Sequence, residues 1–219
     1  MLSCQGIGCV ASLVVCALLL QGCSGTSPST AEQRHEKMFR AVVFYPDEIP
    51  DSIEDGQDVN AIWSSTYHYG SGDQEGTVDI EQTYLSVAVR HGKTESVVML
   101  LAHSADPNLG ASTVGYTPLT WAIRANDVEI VTALLDAGAD PNLRFPTPYS
   151  EGEYPVIWAA RKDSPEILAL LLKHGADASV KDQNGQTCRD IAETWKRQEI
   201  LNVLAQHATS TPAPSNKVQ

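Results

Sequence analysis

Apolar residues recur along residues 83–205 at the spacing of short helices, and polar residues between them mark where each helix starts and stops. The clearest window is 115–142, GYTPLTWAIRANDVEIVTALLDAGADPN. Thr117 stands at an N-cap position. Pro118 takes the first helical place, where its fixed φ fits and its missing N–H is no loss. Leu119, Ala122 and Ile123 follow at helical spacing. Asn126 and Asp127 break that run and open a second helix, with Asp127 and Glu129 at its positive end. Ile130, Val131, Leu134 and Leu135 give the second helix one apolar face, and Gly138 stands where a C′ residue would end it. Two antiparallel helices this short cannot bury both faces alone, so the pattern predicts that copies of the unit stack on it.

The copies are present. Residues 83–108 place Ala88, Leu100, Leu101 and the run at 105–108 34 residues before Ala122, Leu134, Leu135 and the run at 139–142. In residues 154–179, Ala159 lies 37 residues after Ala122, so the connecting finger holds three extra residues. Residues 182–205 keep Gly185, Thr187 and Ala192 but have Cys188 where Pro118 stands. Residues 38–60 form a degenerate first copy: Met38, Ala41, Ile49 and Ile53 supply two short helices, and GQDVN at 56–60 parallels GADPN at 138–142. The register of Gly-Tyr-Thr-Pro-Leu, an alanine, paired leucines and Gly-Ala-Asp-Pro-Asn resembles the ankyrin repeat. The resemblance implies an all-α fold, an ankyrin-repeat solenoid of paired antiparallel helices with β-turn fingers, one long finger following the first repeat. In that family a histidine often follows the Thr-Pro-Leu triplet. Here Ser86, Thr120, Ile157 and Asp190 hold that place, so the hydrogen bonds of such a histidine must be absent or replaced.

Residues 61–82 interrupt the period. Ile62, Trp63, Tyr67 and Tyr69 are followed by Gly70-Ser71-Gly72-Asp73 and then by Val78 and Ile80, which predicts a β-hairpin finger with its tip near residues 70–76. Charge sharpens the picture. The chain carries a net charge of −12, which argues against nonspecific nucleic-acid binding. Between Arg40 and Arg90 there is no lysine or arginine, while Asp47, Glu48, Asp51, Glu54, Asp55, Asp58, Asp73, Glu75, Asp79 and Glu81 fall in the same interval. Two readings of the finger stand. It is an acidic arm that grips a partner with Trp63, Tyr67, Tyr69, Asp73 and Glu75, or a solvated finger whose aromatics pack on the first repeat.

A second irregularity is basic. Arg90, Arg124 and Arg161 each lie two residues after the repeat alanine, with His91 and Lys162 next to two of them. Equivalent positions of a solenoid stack into a ladder. By the resemblance this place faces the concave groove, and the partner is another protein held by groove and fingers. Arginine suits that role, having a planar fork that matches carboxylates. The other reading pairs these arginines with the chain's own fingers, for example Glu151 and Glu153. Tyr116 lies in a finger within reach of a partner and joins the candidate set, as do Glu151 and Glu153. Trp121 and Trp158 each precede the repeat alanine by one and are expected in the core, since aliphatic residues normally fill that place.

Residues 1–22 carry no charged side chain, and their apolar run of about 14 residues is shorter than the roughly 20 that span a bilayer. It suits the h-region of a signal peptide. Leu20-Gln21-Gly22-Cys23 resembles the bacterial lipobox, which implies a lipidated Cys23 at the mature N-terminus. With Ser24 following, the resemblance implies the outer membrane, facing the periplasm, and contact with the membrane only through the lipid. Residues 23–37 then read as a flexible tether, 38–208 as the repeat domain and 209–219 as a disordered tail. Cys4, Cys9 and Cys16 leave with the signal peptide, and Cys188 remains as a buried thiol. The sequence holds no Gly-x-Ser-x-Gly elbow, phosphate loop, His-Glu-x-x-His run or zinc-type cysteine pair. No catalytic residue, metal or cofactor is expected. The functional expectation is a lipid-anchored periplasmic binder that inhibits a partner, in the manner of an immunity protein against an envelope-targeted toxin or lipase. A scaffold for an envelope enzyme is the second reading.

Overall fold

The computed structural model describes residues 30–69, 76–110, 116–147 and 150–210, with the side chains of residues 30, 64–69, 76–80, 146, 147, 150, 151 and 210 left undescribed. Cys23, Asp73 and Glu75 lie outside the described residues, as do the side chains of Tyr67, Tyr69 and Glu151.

Ten helices form five consecutive pairs among the described residues. Helix α1 (Thr30–Phe44) is followed by a 3-10 turn (Pro46–Glu48) and α2 (Ile49–Glu54). Then come α3 (Tyr84–Arg90) with α4 (Thr94–Ala102), and α5 (Pro118–Ala125) with α6 (Val128–Asp136). The last two pairs are α7 (Pro155–Lys162) with α8 (Pro165–Lys173), and α9 (Cys188–Thr194) with α10 (Gln198–Ser210). First helices pack on first helices, α1 to α3 to α5 to α7 to α9, and second helices on second helices in a parallel row. The chain is an all-α solenoid. One continuous core, from Met38 to Leu204, runs between the rows.

Local chemistry sets the helix ends. Thr83, Thr117 and Thr187 accept the N–H of Ser86, Thr120 and Asp190 at the starts of α3, α5 and α9. The places where the family often has histidine close the same caps differently. Ser86 Oγ lies 2.9 Å from Thr83 Oγ1, and Thr120 Oγ1 donates to the Thr117 carbonyl at 2.8 Å. Asp190 accepts from the Thr187 N–H and hydroxyl, both at 2.8 Å, completing a capping box. At α7 the N-cap is Tyr154, which makes no side-chain cap, and Ile157 is simply buried. Gly138 follows α6 at φ +89, as its C′ place requires; Ser104 takes the equivalent left-handed turn at φ +67.

Two start and stop expectations shift. Residues 30–37, read as tether, are the first turns of α1, because half-buried His35 extends the stripe of Met38, Phe39 and Val42 at i, i+3, i+4, i+7. Residues 209 and 210, assigned to the tail, are helical in α10.

Successive repeats are tied by asparagines. Asn60, Asn108 and Asn142 each accept a backbone N–H of the next repeat, from Asp106, Asp140 and Asp177, at 2.7–2.8 Å. Each also donates to a carbonyl two residues earlier in that repeat, Ser104, Gly138 and Gly175, at 3.0–3.3 Å. The aspartate two residues before each asparagine accepts its N–H at 2.8–2.9 Å, which holds the asparagine in place. In the fourth pair Ser179 stands where the asparagine would be, and the series stops.

The fingers are hairpins. Strand β1 (Trp63–Tyr69) pairs antiparallel with β2 (Gly76–Gln82), from Trp63↔Gln82 to Tyr69↔Gly76. The finger with three extra residues folds as β3 (Phe145–Thr147) against β4 (Ser150–Glu153), with a register shift between Phe145 and Thr147.

Leu134 is fully buried in α6, so Leu134→Ala should cost about 2–5 kcal/mol in urea unfolding; a loss below about 1 kcal/mol would place it outside the core. Asn108→Ala removes two bonds between the second and third repeats and should cost about 1–2 kcal/mol by the same measurement. An unchanged unfolding midpoint would show that water replaces the ladder without loss.

Candidate functional site

The last turns of α3, α5 and α7 carry Arg90, Arg124 and Arg161, and all three reach back to the residue eight positions earlier, just before the helix N-cap. Arg90 donates to Gln82 Oε1 at 2.8 Å and Arg124 to the Tyr116 hydroxyl at 2.9 Å. Arg161 donates to the Glu153 carboxylate and also to Asp182 Oδ2 at 2.6 Å. Each contact clamps a finger to its helix. Burial pushes the Asp182 carboxyl up, but the N–H groups of Gln186 and Asn184 and the Arg161 guanidinium outweigh it and hold the carboxyl below its ordinary value.

Tryptophans interleave with the arginines. The Arg124 guanidinium lies 5.1 Å from the Trp121 ring centre and 5.4 Å from that of Trp158, with the Tyr116 ring at 5.1 Å. Arg90 lies over Trp121 at 5.4 Å. Each of these two arginines therefore covers the indole of the following repeat. Such contacts are worth about 0.5–1 kcal/mol each when exposed and more when water is excluded. Beneath them Tyr116 contacts Trp121 at 4.9 Å, and fully buried Phe145 bridges Tyr116 and Trp158, 5.6 Å from each.

The structure sorts the candidates. Arg124 and Lys162 are exposed, while Arg90, His91 and Arg161 are half-buried. Burial, then the charges of Arg90 and Lys93, lower the pKa of His91. Tyr116 is only 3% exposed, wedged between Trp121 and Phe145, so it cannot meet a partner as expected. Glu153 is also 3% exposed and neutralises Arg161, which corrects its assignment to partner contact and matches the reading in which arginine pairs with its own finger. Trp63 packs against His35 at 4.7 Å and edge-on to Phe39 at 5.5 Å, so its ring docks the long finger on the first repeat rather than facing outward. Trp121 and Trp158 are half-buried: each packs against the core on one side and has an arginine beside its ring.

Gln82, Phe145 and Asp182 support the arginine row from beneath and His35 supports the long finger, and no reading of the sequence assigned them these places. The signal for Gln82 was present: Gln82 to Arg90, Tyr116 to Arg124 and Glu153 to Arg161 share one spacing. Phe145 was visible only as an aromatic residue in the finger that gained three residues.

The described residues hold no group of three or more metal-ligating side chains, and no described helix is long and apolar enough to cross a membrane. Cys188 is fully buried, and burial pushes its thiol up, away from reactivity.

A stack of short helix pairs with a side-chain ladder along one row is a binding scaffold of the repeat-solenoid class. Comparison with known families gives the particular repeat. A family described as ankyrin repeats (3 copies) matches residues 66–145, and one described as ankyrin repeats (many copies) matches residues 119–172. The chain carries ankyrin repeats, which indicate a protein–protein interaction module. No curated protein matches it.

At the base of the long finger, His35 Nδ1 is hydrogen-bonded to the hydroxyl of Tyr84, a fully buried side chain, and burial lowers the His35 pKa. Unfolded His35 takes its proton near pH 6.5, and the folded residue only at lower pH. Its contribution to stability is complete above about pH 6.5 and is lost as pH falls through the folded value. Melting temperature should therefore fall between pH 7.5 and 5, and fall less in His35→Gln. Parallel pH profiles for the two proteins would show that His35 does not titrate with folding.

Proposed function

We propose that this protein is a lipid-anchored binding module of the cell envelope, facing the periplasm, that captures another protein on its first-helix surface and inhibits it. The inhibited partner is of the kind an immunity protein meets, a toxin or lipase that acts on the envelope. The observation that carries the binding reading is the exposed Arg124 guanidinium held between Trp121 and Trp158, since arginine and tryptophan are the residues most enriched at interface hot spots. What supports the location is the uncharged apolar run ending in Leu20-Gln21-Gly22-Cys23. What supports inhibition is the acidic first repeat, where Asp47, Glu48, Asp51, Glu54 and Asp55 are all exposed and suit a basic or substrate-binding cleft.

The test is affinity capture with the full chain from envelope extracts, followed by an activity assay of whatever is bound. One stoichiometric partner, inhibited by the chain and released by Arg124→Glu, is the expected result, together with palmitate labelling that disappears in Cys23→Ala. A captured housekeeping enzyme whose activity is unchanged would make the chain a scaffold instead. Recovery of no partner dependent on Arg124 would overturn the binding site as drawn.

A further inference from the structure

We infer that the ligand taken at Arg124 is a carboxylate side chain on an acidic, extended segment of the partner protein. The inference rests on the proposed binding surface and names what that surface reads. The three arginines occupy one structural position, yet their finger partners differ in charge: an amide at Gln82, a phenol at Tyr116 and a carboxylate at Glu153. The fourth repeat shows what this position takes when an acid is at hand. Arg161 gathers two carboxylates, those of Glu153 and Asp182, and both are buried.

Arg124 has the same reach and no acid. Among the described residues its partners are the neutral Tyr116 hydroxyl and the aromatic faces around it. Only Nη1 is engaged by that hydroxyl, and the side chain is exposed, so the rest of the fork faces solvent. Contact with two indoles and the bond to the Tyr116 hydroxyl restrain the guanidinium before binding, which lowers the entropy lost when a carboxylate pairs with it. Exposed Lys162, one position beyond Arg161 on the adjacent α7, adds positive charge along the same row. An acidic segment laid across α5 and α7 meets that charge, while a neutral one leaves the Arg124 edge unmatched.

A random peptide library displayed against the full-length chain tests this directly, in two formats, one with internal segments and one with free C-termini. Internal segments enriched about tenfold or more for Asp or Glu over Asn or Gln at one position are expected. A selected peptide should lose about tenfold or more in affinity when that acid is changed to its amide, a comparison that needs no variant of the protein. The enrichment should vanish with Arg124→Gln and weaken with Arg124→Lys, which keeps the charge and loses the planar fork. Circular dichroism of both variants shows whether they fold; if Arg124→Gln does not, the acid-to-amide comparison and Arg124→Lys decide. Peptides without acidic enrichment, enrichment that survives in a folded Arg124→Gln, no selected peptide at all, or selection only of free C-terminal carboxylates would each overturn the inference. If the captured partner is still lost in Arg124→Glu while amide peptides bind as well as acidic ones, the binding surface stands and the carboxylate reading falls.

Discussion

A helix of seven to nine residues cannot bury its own apolar face, and helices α3 to α9 are all of that size. Their stability comes from neighbours, as it does for any short helix in water. The chain meets that constraint by repeating one unit, so that each pair covers the next and a single core runs through the stack. The ends of the stack look different for the same reason. Helices α1 and α10, with 15 and 13 residues, are the longest described, and each belongs to a pair that, among the described residues, has a neighbouring pair on one side only. The asparagine series adds a polar seam to the apolar one. Each member satisfies a backbone donor and acceptor of the next turn, so the spacing between repeats is fixed by hydrogen bonds as well as by packing.

A row of equivalent arginines follows from that period without any further device. What differs along the row is the finger residue each arginine meets. The first arginine meets the Gln82 amide, the second meets Tyr116, which leaves its charge and adds a ring, and Glu153 with Asp182 cancels the charge of the third. The electrostatic character of this face is thus written in the fingers, on a constant framework of helices. The tryptophans of the third and fourth repeats extend this logic. Each takes an aliphatic place on its helix, packs one side on the core, and offers the other side to an arginine.

Features carried by neighbours in sequence were legible before the structure. The helix pairs, the Thr117 cap, the Gly138 stop and the long hairpin all depend on residues within a few positions of one another. The site was legible only in outline. Arg90, Arg124 and Arg161 were placed correctly on the helices by their period, but which of them is neutralised depends on how a finger turns back, and a finger's path is not encoded in periodicity. Tyr116 illustrates the limit. Its place beside a predicted turn suggested exposure, whereas Phe145, arriving from the next finger, covers it. Residues 30–37 were misread for a related reason: their polar composition resembles a tether, and it is the contact of His35 with Trp63 and Tyr84 that packs this helical segment on the fold.

The proposed recognition rests on Arg124 lying beside Trp121 and Trp158, and the side-chain signal of that arginine reports the arrangement. In a nitrogen-15 proton correlation spectrum, the Nε–Hε resonance of Arg124 should lie upfield of the position of a solvated arginine, shifted by the ring currents of Trp121 and Trp158. It should return toward that position in Trp158→Leu. An Arg124 resonance at the solvated position in the native protein would mean that the guanidinium is not held between the indoles, and the recognition site built on it would be contradicted.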